Sequence, residues 1–212
     1  MTGNFVPGVV GILLAAGRGE RFGGDKLLTM IRPDAKPRAD APTGGHSPGT
    51  AMEFIGVMAC RNLLLALPRV VAVVRPDDAA LAMALGAAGA RIVRCAEAED
   101  GMGASLACGV LATRDAAGWV VALGDMPWIE TSTIVRVAGA IADGATVAAP
   151  FCRGQRGHPV GFGTSCFAAL AALAGDVGAK SVVAAHRDSL VRIDVDDAGT
   201  LADVDRRADL EK

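Results

Sequence analysis

The chain has 212 residues, 51% of them hydrophobic and 21% charged, with a formal net charge of −2. That composition suits one globular domain spanning residues 1–212 with a sizeable interior, and it excludes a disordered or collagen-like chain. Mixed, nearly balanced charge argues against nucleic-acid and membrane partners, and Arg69 interrupts the longest apolar run well short of the roughly 20 residues a membrane span needs.

Taken in chain order, residues 9–14 form a short, continuously apolar run, the pattern of a strand buried on both faces of a parallel sheet. The run ends at small residues as a secretion signal does, but no lysine or arginine precedes it, so it reads as a strand. A glycine-rich segment follows. Residues 31–50 then hold four prolines and three glycines with almost no periodicity, and are expected to form an inserted loop or flap. Beyond it, predicted helices at 51–67, 77–88, 104–113 and 131–142 alternate with predicted strands at 70–74, 91–93, 119–123 and 146–149. A further strand is expected at 160–163. Such alternation implies a three-layer α/β fold with a mostly parallel central sheet, whose functional loops sit at the carboxyl ends of the strands. The five cysteines are odd in number, widely spaced and without a C-x-x-C pair, which points to reduced thiols in a cytoplasmic protein.

The first predicted strand runs into Leu14-Ala15-Ala16-Gly17-Arg18-Gly19-Glu20-Arg21-Phe22-Gly23-Gly24-Asp25-Lys26. Glycines here let backbone N–H groups turn against a phosphate while Arg18, Arg21 and Lys26 supply positive charge, so a polyphosphate fits. It is not a Walker A loop, since no serine or threonine follows the lysine, and its glycines are not spaced as G-x-G-x-x-G. At the end of the strand near residue 123, Leu123-Gly124-Asp125-Met126-Pro127 places an acid at the same sheet edge, where magnesium on a nucleotide needs a hard oxygen ligand. An ordinary glycine turn and a helix-capping aspartate are the plainer readings of these two segments.

The loop resembles the L-A-A-G-x-G-x-R-x-G-x-x-K signature of nucleotidyltransferases, and the Gly124-Asp125-Met126-Pro127 stretch is similar to their magnesium-binding strand end. Four segments narrow the likeness to the molybdenum cofactor cytidylyltransferases and their molybdopterin-guanine dinucleotide synthase relatives. These are Arg21-Phe22-Gly23-Gly24-Asp25-Lys26-Leu27-Leu28, Gly101-Met102-Gly103-Ala104-Ser105-Leu106, Gly154-Gln155-Arg156-Gly157-His158-Pro159-Val160 and Gly175-Asp176-Val177-Gly178-Ala179-Lys180. The resemblance implies a Rossmann-like nucleotidyltransferase fold and a reaction joining CTP, or GTP, to molybdopterin with release of pyrophosphate. It implies Arg21, Lys26 and Asp125 as catalytic residues. It further implies that Leu14, Ala15, Ala16, Gly17, Arg18, Gly19, Lys26, Gly101 and Ser105 hold the nucleotide. Asp125 and an acid of the C-terminal Asp203-Val204-Asp205 stretch are implied as ligands of Mg, with Asp205 favoured over Asp203. Arg156, His158, Asp176 and Lys180 are implied as contacts to the second substrate, and a molybdoenzyme or cofactor chaperone as a partner. Ala15-Ala16-Gly17 is similar to the cytidine-selecting form of the loop.

Two features depart from that family. Arg206 and Arg207 stand where its D-x-D-T-P-x-D-L ending has threonine and proline, and residues 31–50 are longer than its connection at this point. Transfer to a sugar phosphate or alcohol phosphate is the nearest rival activity. A nicotinamide-dependent dehydrogenase is disfavoured by the glycine spacing, and an inactive nucleotide sensor on the same fold is a third class. The absence of a Ser-His-Asp pattern agrees with phosphoryl chemistry, in which a phosphate monoester with a second pKa of about 6 attacks without a strong base.

Overall fold

A computed structural model describes residues 8–32 and 51–210. The chain runs β1 (Val9–Leu14), β2 (Met30–Ile31), β3 (Glu53–Phe54), α1 (Ile55–Ala66), β4 (Val70–Val74), α2 (Ala79–Ala88), β5 (Arg91–Arg94), α3 (Met102–Leu111), β6 (Gly118–Leu123) and α4 (Thr131–Ala142). It continues through β7 (Val147–Cys152), β8 (Gln155–Arg156), β9 (Val160–Gly163), α5 (Phe167–Ala171), α6 (Lys180–Ala185) and β10 (Val191–Asp194).

The main sheet has the order β10-β7-β9-β6-β1-β4-β5, with β8 paired to β7. Strands β1, β4, β5 and β6 pair in parallel, as do β7 and β10, whereas β9 runs antiparallel to both its neighbours. The sheet is therefore mixed but mostly parallel, and the carboxyl ends of β1, β4, β6 and β7 open on one edge. Side chains alternate across it. Val9 and Leu13 of β1 join α1, α2 and α4 in one core, while Val10 and Ile12 join α3, α5 and α6 in the other. Both faces are covered, which is why these strands read as unbroken apolar runs. Trp119 anchors the second core: it is 1% exposed, its Nε1 donates to Thr113 Oγ1 at 2.9 Å and its ring stacks on Phe167.

Several boundaries differ from expectation. The helix expected from residue 51 starts at Ile55, because Glu53 and Phe54 pair antiparallel with Ile31 and Met30. Ile31 thus belongs to a strand, and residues 33–50 of the expected loop lie outside the described residues. The helix expected from residue 77 starts at Ala79, because Asp78 caps α2, accepting from the Leu81 N–H at 3.2 Å. Strand β10 was not expected. It sits at the sheet edge with only Ile193 buried, so its charged residues mimic a loop. The acidic stretch after β10 is partly buried. Asp197 is buried, accepting from the Glu130 N–H and the Thr133 hydroxyl, each at 2.8 Å, so it ties the C-terminal segment to the start of α4. Among the described residues no helix is long and apolar enough to cross a membrane.

Candidate active site

The glycine loop leaves β1 at the centre of the sheet. Gly124 N–H donates to the Leu14 carbonyl and Ala15 N–H to the Val73 carbonyl, both at 2.9 Å, so the loop emerges between the ends of β6 and β4. From there Gly17, Arg18 and Gly19 make no hydrogen bond through their N–H groups among the described residues. Consecutive open donors of this kind form an anion-binding concavity. Gly23, Gly24 and Asp25 then follow one another with positive φ (93°, 96° and 47°), and this left-handed run folds Lys26 back against Gly19. The result is a cleft of about 440 Å³.

Charge inside the cleft is paired across distant segments. Lys26 Nζ donates to Asp125 Oδ2 at 2.7 Å, with the two side chains 12% and 25% exposed. Arg21 reaches Asp205 Oδ2 at 3.2 Å, and Arg18 bonds Glu99 on the far wall. Asp205 is held in place by its surroundings: Val204 N–H donates to the Asp125 carbonyl at 2.9 Å, and the Asp209 carboxylate accepts from the N–H groups of Asp205 and Arg206 at 3.0 and 2.7 Å. Arg207 lies over the Phe22 ring, 5.1 Å from its centre. The two arginines that depart from the family ending are thus accommodated, one in an aspartate-capped turn and the other against the glycine loop.

The opposite wall is built by two glycines at the start of α3. A Cβ on Gly101 would stand 2.3 Å from Asp176 Oδ1, and one on Gly103 would stand 2.7 Å from the Ala174 carbonyl oxygen. Gly103 N–H also donates to the Gly175 carbonyl at 2.7 Å, locking the Gly175-Asp176 turn onto the helix. Asp176, Met102 and the buried Ser105 line the cleft there.

Of the residues expected to contact nucleotide or metal, Leu14, Ala16, Gly17, Arg18, Gly19, Arg21, Lys26, Gly101, Ser105, Asp125 and Asp205 line this one cleft. Two do not. Ala15 is buried, its N–H engaged with β4, and Asp203 is exposed and not part of the lining. No group of three or more His, Cys, Asp or Glu side chains is arranged for a metal among the described residues; Asp125 and Asp205 line the cleft together with Glu20, Glu99 and Asp176.

The four expected second-substrate residues separate. Asp176 belongs to the cleft, whereas Arg156 and Lys180 line a different groove of about 570 Å³ with Phe151, Gln155 and Arg187. His158 is half-buried with Nδ1 enclosed and unpartnered among the described residues. Burial and then Arg156 hold its imidazole below the usual histidine range, Asp125 opposing them, so it is neutral at pH 7.

Sequence reasoning missed Arg75, Glu20, Glu99 and Met102, all of which line the cleft. Arg75 directly follows the last residue of β4, and that strand-end position was the available signal. Burial pushes the Cys60 thiol up to about 11 and the Cys95 thiol up to about 12, so neither supplies a thiolate.

A search of curated proteins found no match. Among solved structures the chain is similar to Rv0371c from Mycobacterium tuberculosis H37Rv (24% identity, TM-score 0.73, covering 96% of this chain and 95% of that one). A further structure of Rv0371c, in complex with manganese, matches with 21% identity and a TM-score of 0.63 over 88% of each chain. An Rv0371c homolog from Mycobacterium sp. strain JC1 is 27% identical, with a TM-score of 0.68 over 96% of this chain and 93% of that one. Molybdopterin-guanine dinucleotide biosynthesis protein A from Archaeoglobus fulgidus shares the fold at 17% identity, with a TM-score of 0.62 over 95% of each chain. A family model described as the MobA-like NTP transferase domain matches residues 11–190, the span from β1 through the cleft to the last turn before β10. With its glycine loop, its strand-end aspartate and the strands from β2 to β9 in that span, the chain belongs to the MobA-like NTP transferase family and is a nucleotidyltransferase.

Proposed function

We propose that the protein catalyses magnesium-dependent transfer of a cytidylyl group from CTP to the terminal phosphate of a molybdopterin-type acceptor, releasing pyrophosphate. The carrying observation is the convergence of Lys26, Arg21, Asp125 and Asp205 on one cleft beside a run of open N–H groups.

The loop N–H groups, Arg21 and Lys26 bind the triphosphate and keep it extended across the ends of β1 and β6. An acceptor phosphate oxygen, already anionic near neutral pH, forms a bond to the α-phosphorus as the bond to the β-phosphate oxygen breaks; pyrophosphate carries away the electron pair. Lys26 and Arg21 counter the charge that gathers on the departing group. No proton has to be removed from the attacking oxygen, which agrees with a cleft in which the nearby histidine is neutral and enclosed.

The lining supports a divalent ion. Its four cations face five carboxylates, so it cannot by itself neutralise a triphosphate. Asp125 and Asp205 are hard oxygen donors, and magnesium is commonly held by one or two carboxylates together with substrate phosphates and water. Bound there, magnesium supplies charge neutralisation for the triphosphate. The complex of Rv0371c with manganese supports a divalent ion in a related fold.

For the acceptor, Asp176 lines the cleft, while Arg156 and Lys180 offer positive charge in the second groove. We place the far end of the acceptor there. The likeness to the molybdopterin-guanine dinucleotide biosynthesis protein A of Archaeoglobus fulgidus supports a pterin acceptor and, with it, GTP as the second reading for the base. Ala16, which lines the cleft, supports CTP through its likeness to the cytidine-selecting loop. On this reading the protein works in the cytoplasm, and its product passes to a molybdoenzyme or cofactor chaperone.

The test is pyrophosphate release measured with each of the four nucleoside triphosphates, with and without molybdenum-loaded molybdopterin. Release with CTP that depends on the pterin supports the proposal; GTP as the better donor supports the second reading; release only with a sugar phosphate acceptor overturns both.

A further inference from the structure

Arg75 lines the cleft, but each of its three guanidinium nitrogens already has an acceptor within the protein, which draws it away from phosphate. Nη1 donates to the carbonyls of Ala16 and Gly17 at 3.4 and 3.1 Å, Nε faces Asp77 Oδ1 at 3.3 Å and Nη2 faces Asp78 Oδ2 at 3.3 Å. The side chain is 18% exposed. Asp78 is itself fixed, since its other oxygen caps α2. A chain of contacts therefore runs from the start of α2 through Asp78 and Arg75 to two successive peptide groups of the glycine loop.

Those two peptide groups decide where the loop's donors point. In a trans peptide the C=O and the following N–H face opposite ways, so turning the Ala16 carbonyl onto Arg75 turns the Gly17 N–H away from it. The same holds for the Gly17 carbonyl and the Arg18 N–H. Both N–H groups are without an acceptor among the described residues.

We propose that Arg75 is a positioning residue for the nucleotide: it clamps the Ala16 and Gly17 carbonyls so that the Gly17 and Arg18 N–H groups are set for the polyphosphate before it arrives. Asp77 and Asp78 hold the clamp and offset its charge, which keeps Arg75 itself off the phosphates. The clamp acts alike on the bound triphosphate and on the transition state, so its loss weakens nucleotide binding without slowing the chemical step. The inference rests on the nucleotide reading of the cleft.

The test compares steady-state kinetics with CTP and direct CTP binding by calorimetry in the wild type, Arg75→Ala, Arg75→Lys and Lys26→Ala. Arg75→Ala is expected to raise KM and Kd for CTP by between about tenfold and a hundredfold, the equivalent of one or two charge-assisted hydrogen bonds, with kcat within about threefold of wild type. Arg75→Lys keeps the charge but not the planar fork, so KM is expected to stay raised. Millimolar guanidinium ion is expected to lower the KM of Arg75→Ala toward wild type, which a purely structural role does not predict. Unchanged KM and Kd in Arg75→Ala, or a fall in kcat at constant KM, overturns the proposal. If Arg75→Ala does not fold, the wild type decides: amide NMR shifts on adding inorganic tripolyphosphate should be largest at Gly17 and Arg18, and shifts elsewhere overturn it. Should Lys26→Ala also bind CTP as the wild type does, the nucleotide reading of the cleft fails as a whole; loss in Lys26→Ala with none in Arg75→Ala removes only the clamp.

Discussion

Lys26 and Asp125, 99 positions apart in the chain, meet at 2.7 Å at the floor of the cleft. One comes from the turn closing the glycine loop and the other from the residues just after β6, so the contact exists only once β1 and β6 have paired. Without ligand, each neutralises the other. With a metal-bound triphosphate in place, the ammonium has phosphate oxygens to turn to and the carboxylate has the ion. Replacing Lys26 by Ala is therefore expected to lower kcat/KM by about 10²–10³, the range found when one donor to developing charge is removed. Asp125→Asn should lower activity at least as far and weaken the dependence on magnesium concentration. Steady-state pyrophosphate release over a magnesium titration checks both.

The two C-terminal aspartates should separate clearly. Asp205 lines the cleft against Arg21, and Asp203 is exposed outside it. Asp205→Asn is expected to raise the magnesium concentration needed for half-maximal rate by about tenfold, as one lost charge-assisted contact implies. Asp203→Asn should match the wild type within about twofold, since Asp203 is exposed and is not part of the cleft lining. The same magnesium titration on the two variants provides the comparison.

Gly101 is required by space as well as by conformation. Its φ is +122°, and a methyl group there would collide with the Asp176 carboxylate and the Gly175 backbone. Gly101→Ala is expected to destabilise the protein by about 1–3 kcal/mol, the range for a residue forced into sparsely populated backbone space. It should also displace Asp176 from the cleft. Thermal unfolding should show a midpoint lowered by about 2–4 °C for each kcal/mol in a protein of this size.

His158 gives the fold an acid-sensitive element. Its folded-state pKa lies below the ordinary 6.5 because burial disfavours the imidazolium and Arg156 adds to that, while Asp125 opposes both. Between the lowered value and 6.5 the unfolded chain binds the extra proton and the folded one does not. The neutral side chain's stabilisation is therefore fully present above about pH 6.5 and is lost as the pH falls below it. Urea denaturation at pH 7.5 and pH 5 should show a smaller loss of stability in His158→Gln than in the wild type; equal losses would show that His158 is not the group responsible.

Much of the cleft was legible because its chemistry is local. The run from Leu14 to Lys26 needs particular residue types at fixed spacing, and Asp125 is placed by a strand end and a proline that a reader of the sequence can find. Strands β1, β4 and β9 fall where apolar runs predict them, since burial on both faces leaves little room for polar residues. What stayed hidden depends on pairing across the fold. Strand β10 is charged because it is an edge, and Arg75 acquires its role only when β4 lies beside β1. Arg156 and Asp176 look alike as loop residues beside glycines, but β8 carries one into a separate groove and the turn against Gly101 carries the other into the cleft. Replacing threonine and proline with Arg206 and Arg207 looked disruptive because the compensating group, the Asp209 carboxylate, acts through main-chain N–H groups.

The most direct measurement is a crystal structure with magnesium and a non-hydrolysable CTP analogue. The account predicts phosphates against the N–H groups of Gly17 and Arg18, Lys26 moved from Asp125 to a phosphate oxygen, and the ion between Asp125 and Asp205. A nucleotide bound elsewhere, or bound here with Lys26 still paired to Asp125 and no ion at the two carboxylates, contradicts it.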